Sequence, residues 1–221
     1  MSARTALVAG ATGLVGGHLV DLLLEDPAWD AVTVLARRPL SRAHPKLRQE
    51  VVDFDRLEEH AGGLHATDVF CALGTTIRAA GSREAFRRVD LEYPRRLAEI
   101  ASRSGAERFL LVSALGADAR SRVFYNQVKG EAEAAVRAHP FAGVAVFRPS
   151  LLLGERTEHR PGEEVAKRLS GPLGFLLVGP LRKYRPIQAR TVARAMVRLA
   201  REGVRGVRVV ESDEIERVGG G

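Results

Sequence analysis

Tyr125 and Lys129 are the two residues whose types and spacing best suit chemistry at a carbonyl group. They lie four residues apart in the helix-like segment FYNQVKGEAEAAVRAH, so both side chains emerge from one helical face. A tyrosine hydroxyl is a weak acid with an unperturbed pKa of about 10, and a neighbouring ammonium stabilises the phenolate formed when it loses its proton. The pair therefore predicts proton transfer to or from a substrate oxygen.

A glycine-rich turn near the N-terminus predicts a binding site for a dinucleotide pyrophosphate. Its glycines stand at positions 10, 13 and 16, after the strand-like TALVA and before a helical segment. Glycine permits unusual backbone angles and close approach to a phosphate, whose charge the N–H groups of the helix start attract. Tight packing alone is the weaker alternative. A Tyr-x-x-x-Lys pair is common on exposed helices, but behind such a turn it indicates catalysis.

The residues after the second predicted strand favour NADP(H) over NAD(H). The strand-like VTVLARRP segment ends about 20 residues after Gly16, where the adenosine ribose should lie. The acidic residue that would bind the ribose of NAD(H) is absent there, and Arg37 and Arg38 stand in its place. Guanidinium groups bind a 2′-phosphate through paired, charge-assisted hydrogen bonds. The alternative is two ordinary solvated arginines at a strand end.

These residues need elements to position them, and apolar runs typical of buried parallel strands alternate with helical segments along most of the chain. The predicted strands are residues 5–9, 31–36, 51–53, 68–72, 108–113, 143–148 and 207–210. The predicted helices include residues 14–24, 91–103 and 191–201, besides the segment that carries Tyr125. This alternation predicts an α/β Rossmann fold, a doubly wound parallel sheet with helices on both faces.

The pattern changes after Pro149, so we expect residues from about 150 to 190 to form a small C-terminal cap on the substrate side. The whole chain, residues 1–221, is expected to form a single domain. Within the cap, the charged residues 154–164 could bind substrate or form a solvated surface loop. The apolar residues 171–180 are expected to be a buried pocket wall or lid rather than an exposed patch for a partner or a membrane.

Composition argues against several classes of protein. Cys71 is the single cysteine and the six histidines lack paired spacing, so we expect no metal site. The net charge of +7 is spread along the chain and aromatic residues make up only 5%, which argues against a nucleic-acid partner. No apolar stretch approaches the roughly 20 residues of a membrane span and no secretory signal is visible. We therefore expect a cytoplasmic protein without stable membrane association.

Six motifs, read in order, extend nearly from end to end: GATGLVG, ARRP, CALGTT, VSALGAD, YNQVKGEAE and FRPSLLLGERTEHRPGE. With them the chain resembles the atypical short-chain dehydrogenase/reductase family, and most of all its branch of Tat-interacting oxidoreductase-like proteins, which bind NADPH. The resemblance implies that Tyr125 is the general acid/base, Lys129 its partner, and Ser113 the hydroxyl that orients the substrate carbonyl. Extended relatives often place that hydroxyl one or two residues further along, where this chain has Ala114 and Leu115.

The resemblance also assigns residues to each part of the dinucleotide. The residues implied are Gly10, Thr12, Gly13, Leu14, Val15 and Gly16 for the pyrophosphate, Arg37 and Arg38 for the 2′-phosphate, Asp53 for the adenine, Ala72, Leu73 and Gly74 for the adenosine side, and Tyr125, Lys129 and Arg148 for the nicotinamide end.

Two functions follow from these observations. The first is an NADP(H)-dependent oxidoreductase that moves a hydride to or from a small carbonyl or alcohol, with Tyr125 exchanging the proton. The second is a non-catalytic NADP(H)-dependent redox sensor or partner-binding regulatory protein, in which a protein partner or a second copy of the chain would be bound. The small-molecule substrate is not identified by the sequence, since one fold serves many functions.

Overall fold

A seven-stranded parallel sheet forms the centre of the computed structural model, which describes residues 3–154 and 179–220. Its strands are β1 (Thr5–Ala9), β2 (Ala31–Ala36), β3 (Leu47–Val51), β4 (Asp68–Cys71), β5 (Arg108–Val112), β6 (Gly143–Arg148) and β9 (Gly206–Glu211). Their order in the sheet is β3-β2-β1-β4-β5-β6-β9, and all neighbouring pairs are parallel. The predicted doubly wound α/β fold is confirmed.

Helices cover both faces of the sheet, as the near-continuous apolar strands require. The helices are α1 (Leu14–Glu25), α2 (Ile77–Ala80), α3 (Arg83–Arg87), α4 (Tyr93–Arg103), α5 (Phe124–Arg137), α6 (Ala189–Glu202) and α7 (Ser212–Gly219). The other helical segments are a 3₁₀ segment at Phe54–Gly63, a π-helical turn at Arg88–Glu92 and a second 3₁₀ segment at Gly179–Tyr184. Alternate strand residues enter opposite cores: Val8 and Phe70 pack on one face, Leu7 and Val69 on the other.

The strand order reverses next to β1, which pairs with β2 on one side and with β4 on the other. In sheets of this kind, ligands bind outside the carboxyl ends of the strands at the point of reversal. The loops that follow β1 and β4 meet there. The fold therefore places the glycine-rich turn and the residues after Cys71 at one crevice.

One predicted strand was wrong in position. The sequence pattern placed it at residues 51–53, whereas β3 occupies Leu47–Val51. The segment LRQEV is polar because β3 is an edge strand whose residues are mostly exposed, so it lacks the apolar run by which the other strands were recognised. The other six predicted strands agree with the structure to within one residue at each end.

The cap region is described only in part. Two short strands, β7 (Leu152–Leu153) and β8 (Ile187–Gln188), form a separate parallel pair beside the 3₁₀ turn Gly179–Tyr184. The predicted substrate loop at residues 154–164 and the apolar segment 171–180 fall almost wholly outside the described residues.

A buried carboxylate at the amino end of β4 ties three elements together. Asp68 is fully buried and accepts hydrogen bonds from Trp29 Nε1 at 2.8 Å, Arg4 Nε at 2.6 Å and Arg108 Nε at 2.5 Å. Replacing Asp68 with asparagine should lower the free energy of unfolding by about 1–3 kcal/mol, because a neutral amide satisfies these donors less well. Urea unfolding measures this loss.

The matched control is Asp53→Asn, an exposed position at which asparagine can still cap the following 3₁₀ turn. We expect its unfolding midpoint to stay at the wild-type value. Equal midpoints for the two variants would contradict the role given to Asp68.

Candidate functional site

The loop between β1 and α1 can be built only with glycine at two of its positions. Gly10 has a φ of +91°, and a Cβ there would lie 2.5 Å from the carbonyl oxygen of Ala72. A Cβ on Gly16 would lie 2.0 Å from the carbonyl oxygen of Gly10. Both distances are too short for any side chain, so these glycines let the turn pack against α1 and the loop after β4.

The start of α1 suits an anion. Gly13 occupies the N-cap position, no side chain caps the helix, and its first turn contains no acidic residue. The N–H groups of Leu14, Val15 and Gly16 belong to this first turn, where an α-helix offers no internal acceptor and carries partial positive charge. Thr12 and Gly13 are exposed at the same loop. The residues present therefore fit a pyrophosphate.

The two arginines predicted to bind a 2′-phosphate lie directly after β2 and are exposed. Within residues 3–154 and 179–220, Arg37 and Arg38 make no hydrogen bond or ion pair that would occupy their guanidinium groups. Asp53, predicted beside the adenine, is exposed and accepts a hydrogen bond from the Asp55 N–H at 2.9 Å. Its carboxylate thereby caps the following 3₁₀ turn.

Lys129 is buried on α5 and paired with a buried carboxylate. Its Nζ lies 2.7 Å from Oδ1 of Asp90, whose side chain is fully buried. The second oxygen of Asp90 accepts a hydrogen bond from the Thr75 N–H at 2.9 Å. A Cβ on Gly74 would lie 3.6 Å from Lys129 Nζ. The structure thus brings Lys129 to the loop after β4, beside the predicted residues Ala72, Leu73 and Gly74.

Electrostatics keep the Lys129 ammonium charged. Burial alone lowers the pKa of Lys129, but the carboxylate of Asp90, together with Tyr125, outweighs that effect, so the pKa is raised overall. Lys129 therefore carries its full charge across the physiological pH range.

Tyr125 lies one helical turn before Lys129 and is half-buried. Its ring packs against the ring of Phe86, with 5.5 Å between the centroids. Phe86 is fully buried in a small core with Leu91 and Val128. Packing therefore fixes the Tyr125 ring from the side of α3, while its backbone is fixed by α5.

Ser113 and Arg148 are joined to another buried acid, Glu133. The Ser113 hydroxyl donates to Glu133 Oε1 at 2.6 Å, and Arg148 donates through Nε at 2.9 Å and through Nη2 at 2.7 Å. Arg137 donates to the same carboxylate at 2.7 Å. The hydrogen bond to Glu133 raises the pKa of the Arg148 guanidinium. The Ser113 proton is thus directed at Glu133 in this structure.

Three functional neighbours were missed by the sequence reasoning: Asp90, Glu133 and Phe86. Glu133 stands four residues after Lys129 and could have been found by extending the Tyr125–Lys129 spacing by one turn. Asp90 and Phe86 come from a different part of the chain, and nothing in their local sequence indicates contact with α5.

Cys71 ends β4, close to this group of residues. Burial raises the pKa of its thiol to about 12, although the Leu73 N–H and the Lys129 ammonium act in the opposite direction. The thiol is therefore neutral in the folded protein, which argues against a role as a nucleophile.

The described residues contain neither a membrane-spanning helix nor a metal-binding cluster. Across residues 3–154 and 179–220, no helix has the length and apolar character needed to cross a membrane. Over the same ranges, no three histidine, cysteine or acidic residues are grouped closely enough to hold a metal ion.

Two solved structures with this fold contain NAD. MoeE5 in complex with UDP-glucuronic acid and NAD superposes with a TM-score of 0.73 at 22% identity, covering 94% of this chain and 76% of that one. DesIV, a dTDP-glucose 4,6-dehydratase from Streptomyces venezuelae with NAD and TYD bound, gives a TM-score of 0.71 at 18% identity. The match covers 95% of this chain and 75% of that one. At these identities the likeness concerns the fold.

Relatives by sequence are more similar. Protein HTATIP2 of Rattus norvegicus is 42% identical, covering 78% of this chain and 73% of that protein. Protein FMP52, mitochondrial, of Coccidioides immitis is 31% identical over 98% of this chain and 96% of that protein. The name of the fungal relative includes the mitochondrion, so the cytoplasmic location stays a prediction.

The model of a family described as NAD(P)H-binding matches residues 10–203. The family match and these relatives confirm the resemblance seen in the motifs. The chain belongs to the NAD(P)H-binding family that includes HTATIP2 and FMP52.

Proposed function

We propose that this protein is an NADP(H)-dependent oxidoreductase that interconverts a small carbonyl compound and its alcohol. One observation carries the proposal: the Lys129 ammonium is buried one helical turn from Tyr125, beside the loop that borders the dinucleotide crevice. A Tyr-x-x-x-Lys pair on an exposed helix would lack both the burial of the lysine and its contact with that loop. Membership of an NAD(P)H-binding family supports the cofactor class.

Tyr125 is the proton donor in the direction of reduction. The bound nicotinamide supplies the hydride. Tyr125 Oη gives its proton to the substrate oxygen as the alcohol forms, and it takes the proton back in the reverse direction. The Lys129 ammonium stabilises the phenolate left on Oη, because an opposite charge nearby favours the charged form. Phe86 holds the ring in place throughout.

The preference for NADP(H) is assigned to Arg37 and Arg38. Both guanidinium groups are exposed after β2 at the position expected for the adenosine ribose. Replacing both with alanine should weaken NADPH binding by roughly 10- to 100-fold, the effect of losing charged hydrogen bonds worth about 1.5–3 kcal/mol. NADH binding should change little. Fluorescence titration with each dinucleotide gives the two affinities.

A double variant at two other exposed arginines, Arg48→Ala with Arg205→Ala, removes the same charge elsewhere on the chain. It should bind NADPH as the wild type does at physiological salt, because screening weakens distant charges. If Arg37 and Arg38 variants lose NADPH and NADH equally, the assignment of NADP(H) is wrong.

The second candidate, a non-catalytic sensor or partner-binding protein, is favoured by the Ser113 geometry. A substrate-orienting hydroxyl should donate its proton to the carbonyl, whereas Ser113 donates to the buried Glu133. A panel of carbonyl compounds tested for NADPH oxidation separates the two candidates. Turnover supports the oxidoreductase, and tight NADPH binding without turnover on any compound supports the sensor.

A further inference from the structure

The π-helical turn at Arg88–Glu92 is an unusual feature between α3 and α4. It is closed by a hydrogen bond from the Tyr93 N–H to the Arg88 carbonyl, five residues back. Such turns are rare and occur mostly at functional sites, because the wider turn changes the direction of the side chains that follow. Asp90 stands at the centre of this turn and is buried.

Asp90 joins three separate elements through its carboxylate. One oxygen lies 2.7 Å from Lys129 Nζ on α5, and the other accepts the Thr75 N–H in the loop after β4 at 2.9 Å. The carboxylate is therefore fixed in orientation by the loop while it contacts the ammonium. Its backbone is fixed by the π turn.

The pairing decides whether Lys129 is charged. A buried ammonium without a partner tends to lose its proton, since the charged form is costly away from water. The titratable groups that act on Lys129 are Asp90, Tyr125 and the thiol of Cys71. The Cys71 thiol is neutral, and the Asp90 carboxylate, 2.7 Å from Lys129 Nζ, supplies the compensating charge.

We propose that Asp90 is a positioning residue of the site: its carboxylate holds the Lys129 ammonium protonated and fixed one helical turn from Tyr125. This inference rests on the proposed function for its catalytic meaning. The effect on Lys129 itself can be measured without a cofactor or a substrate.

The experiment is competitive acetylation of the lysines in the protein without cofactor. The chain has only four lysines, Lys46, Lys129, Lys167 and Lys183, so peptide mass spectrometry resolves each one. The pH at which each amine becomes half-reactive gives its titration midpoint, and this midpoint does not depend on how accessible the amine is. In the wild type, the Lys129 midpoint should lie above that of an ordinary lysine.

The variant Asp90→Asn should move the Lys129 midpoint down by at least one pH unit, so that the neutral, reactive fraction rises about tenfold at a given pH. The midpoint of Lys46 should not move. The matched control is Asp68→Asn, which also removes a fully buried carboxylate paired with cations but lies at the amino end of β4, whereas Asp90 and Lys129 lie by the loop after its carboxyl end. A general loosening of the structure would shift the Lys129 midpoint in both variants. Loss of the ion pair should shift it only in Asp90→Asn.

Two results would overturn the inference: a wild-type Lys129 midpoint at or below the ordinary value, or an unchanged midpoint in a folded Asp90→Asn protein. If Asp90→Asn does not fold, the wild-type midpoint decides alone. The oxidoreductase proposal fails separately, when NADPH does not bind or no carbonyl compound is reduced.

Discussion

Reduction of a carbonyl substrate by NADPH should slow by about 10²- to 10⁴-fold when Tyr125 is replaced with phenylalanine, the range expected for loss of a general acid. Phenylalanine keeps the ring that packs on Phe86 and removes only the hydroxyl. Protein stability and NADPH affinity should therefore stay close to their wild-type values. Initial rates at saturating NADPH measure the loss of activity, and a dinucleotide titration measures the NADPH affinity.

Tyr93→Phe is the control for this prediction. Tyr93 stacks on Phe54, with 5.3 Å between ring centroids, at the start of α4, and it packs against a different core from Tyr125. Its variant should reduce the substrate at the wild-type rate. If the Tyr125→Phe protein is as active as the Tyr93→Phe protein, Tyr125 is not the general acid.

The second large effect concerns stability. Replacing Lys129 with methionine should lower the free energy of unfolding by about 3–5 kcal/mol, because it leaves a buried carboxylate without its charged partner. Asp90 is fully buried and the Lys129 side chain is only 7% exposed, so solvent screens the pair little. Methionine has similar length and fills the same space. Chemical unfolding in urea gives the loss.

A lysine in a half-exposed ion pair provides the comparison. Lys183 lies 3.2 Å from Glu211, and both side chains are more than a third exposed. Lys183→Met should leave the free energy of unfolding nearly unchanged, as for other surface pairs. Adding Asp90→Leu to Lys129→Met should recover much of the loss, since removing both buried charges is often nearly neutral. An undiminished stability in Lys129→Met would contradict the burial of a charged pair.

The features that sequence predicted well are those set by local periodicity. Apolar strands such as β1 and β6 are buried on both faces, so their residue pattern alone located them to the residue. The edge strand β3 is exposed and polar, and the same rule placed it too late. Because the glycine turn forms directly between β1 and α1, its position also followed from neighbouring residues.

The site was predictable only where its parts lie on one element. Tyr125 and Lys129 share a helical face, so their spacing was visible in the sequence. The partners that set their environment are brought in by tertiary packing: Asp90 through the π turn, and Phe86 through α3. Ser113 was named from resemblance, and its hydrogen bond to Glu133 could be seen only once β5 and α5 were packed together.

The reactivity of the buried thiol at the end of β4 can be used to measure conformational opening of the folded protein. With a pKa of about 12, the ionised fraction of Cys71 at pH 7 is on the order of 10⁻⁵, so the closed form is almost inert towards alkylating reagents. Reaction requires that β4 become accessible to solvent. As the chain has no other cysteine, the alkylation rate under native conditions tracks how often the centre of the sheet opens. Dinucleotide bound in the adjacent crevice should slow that reaction by stabilising the closed form.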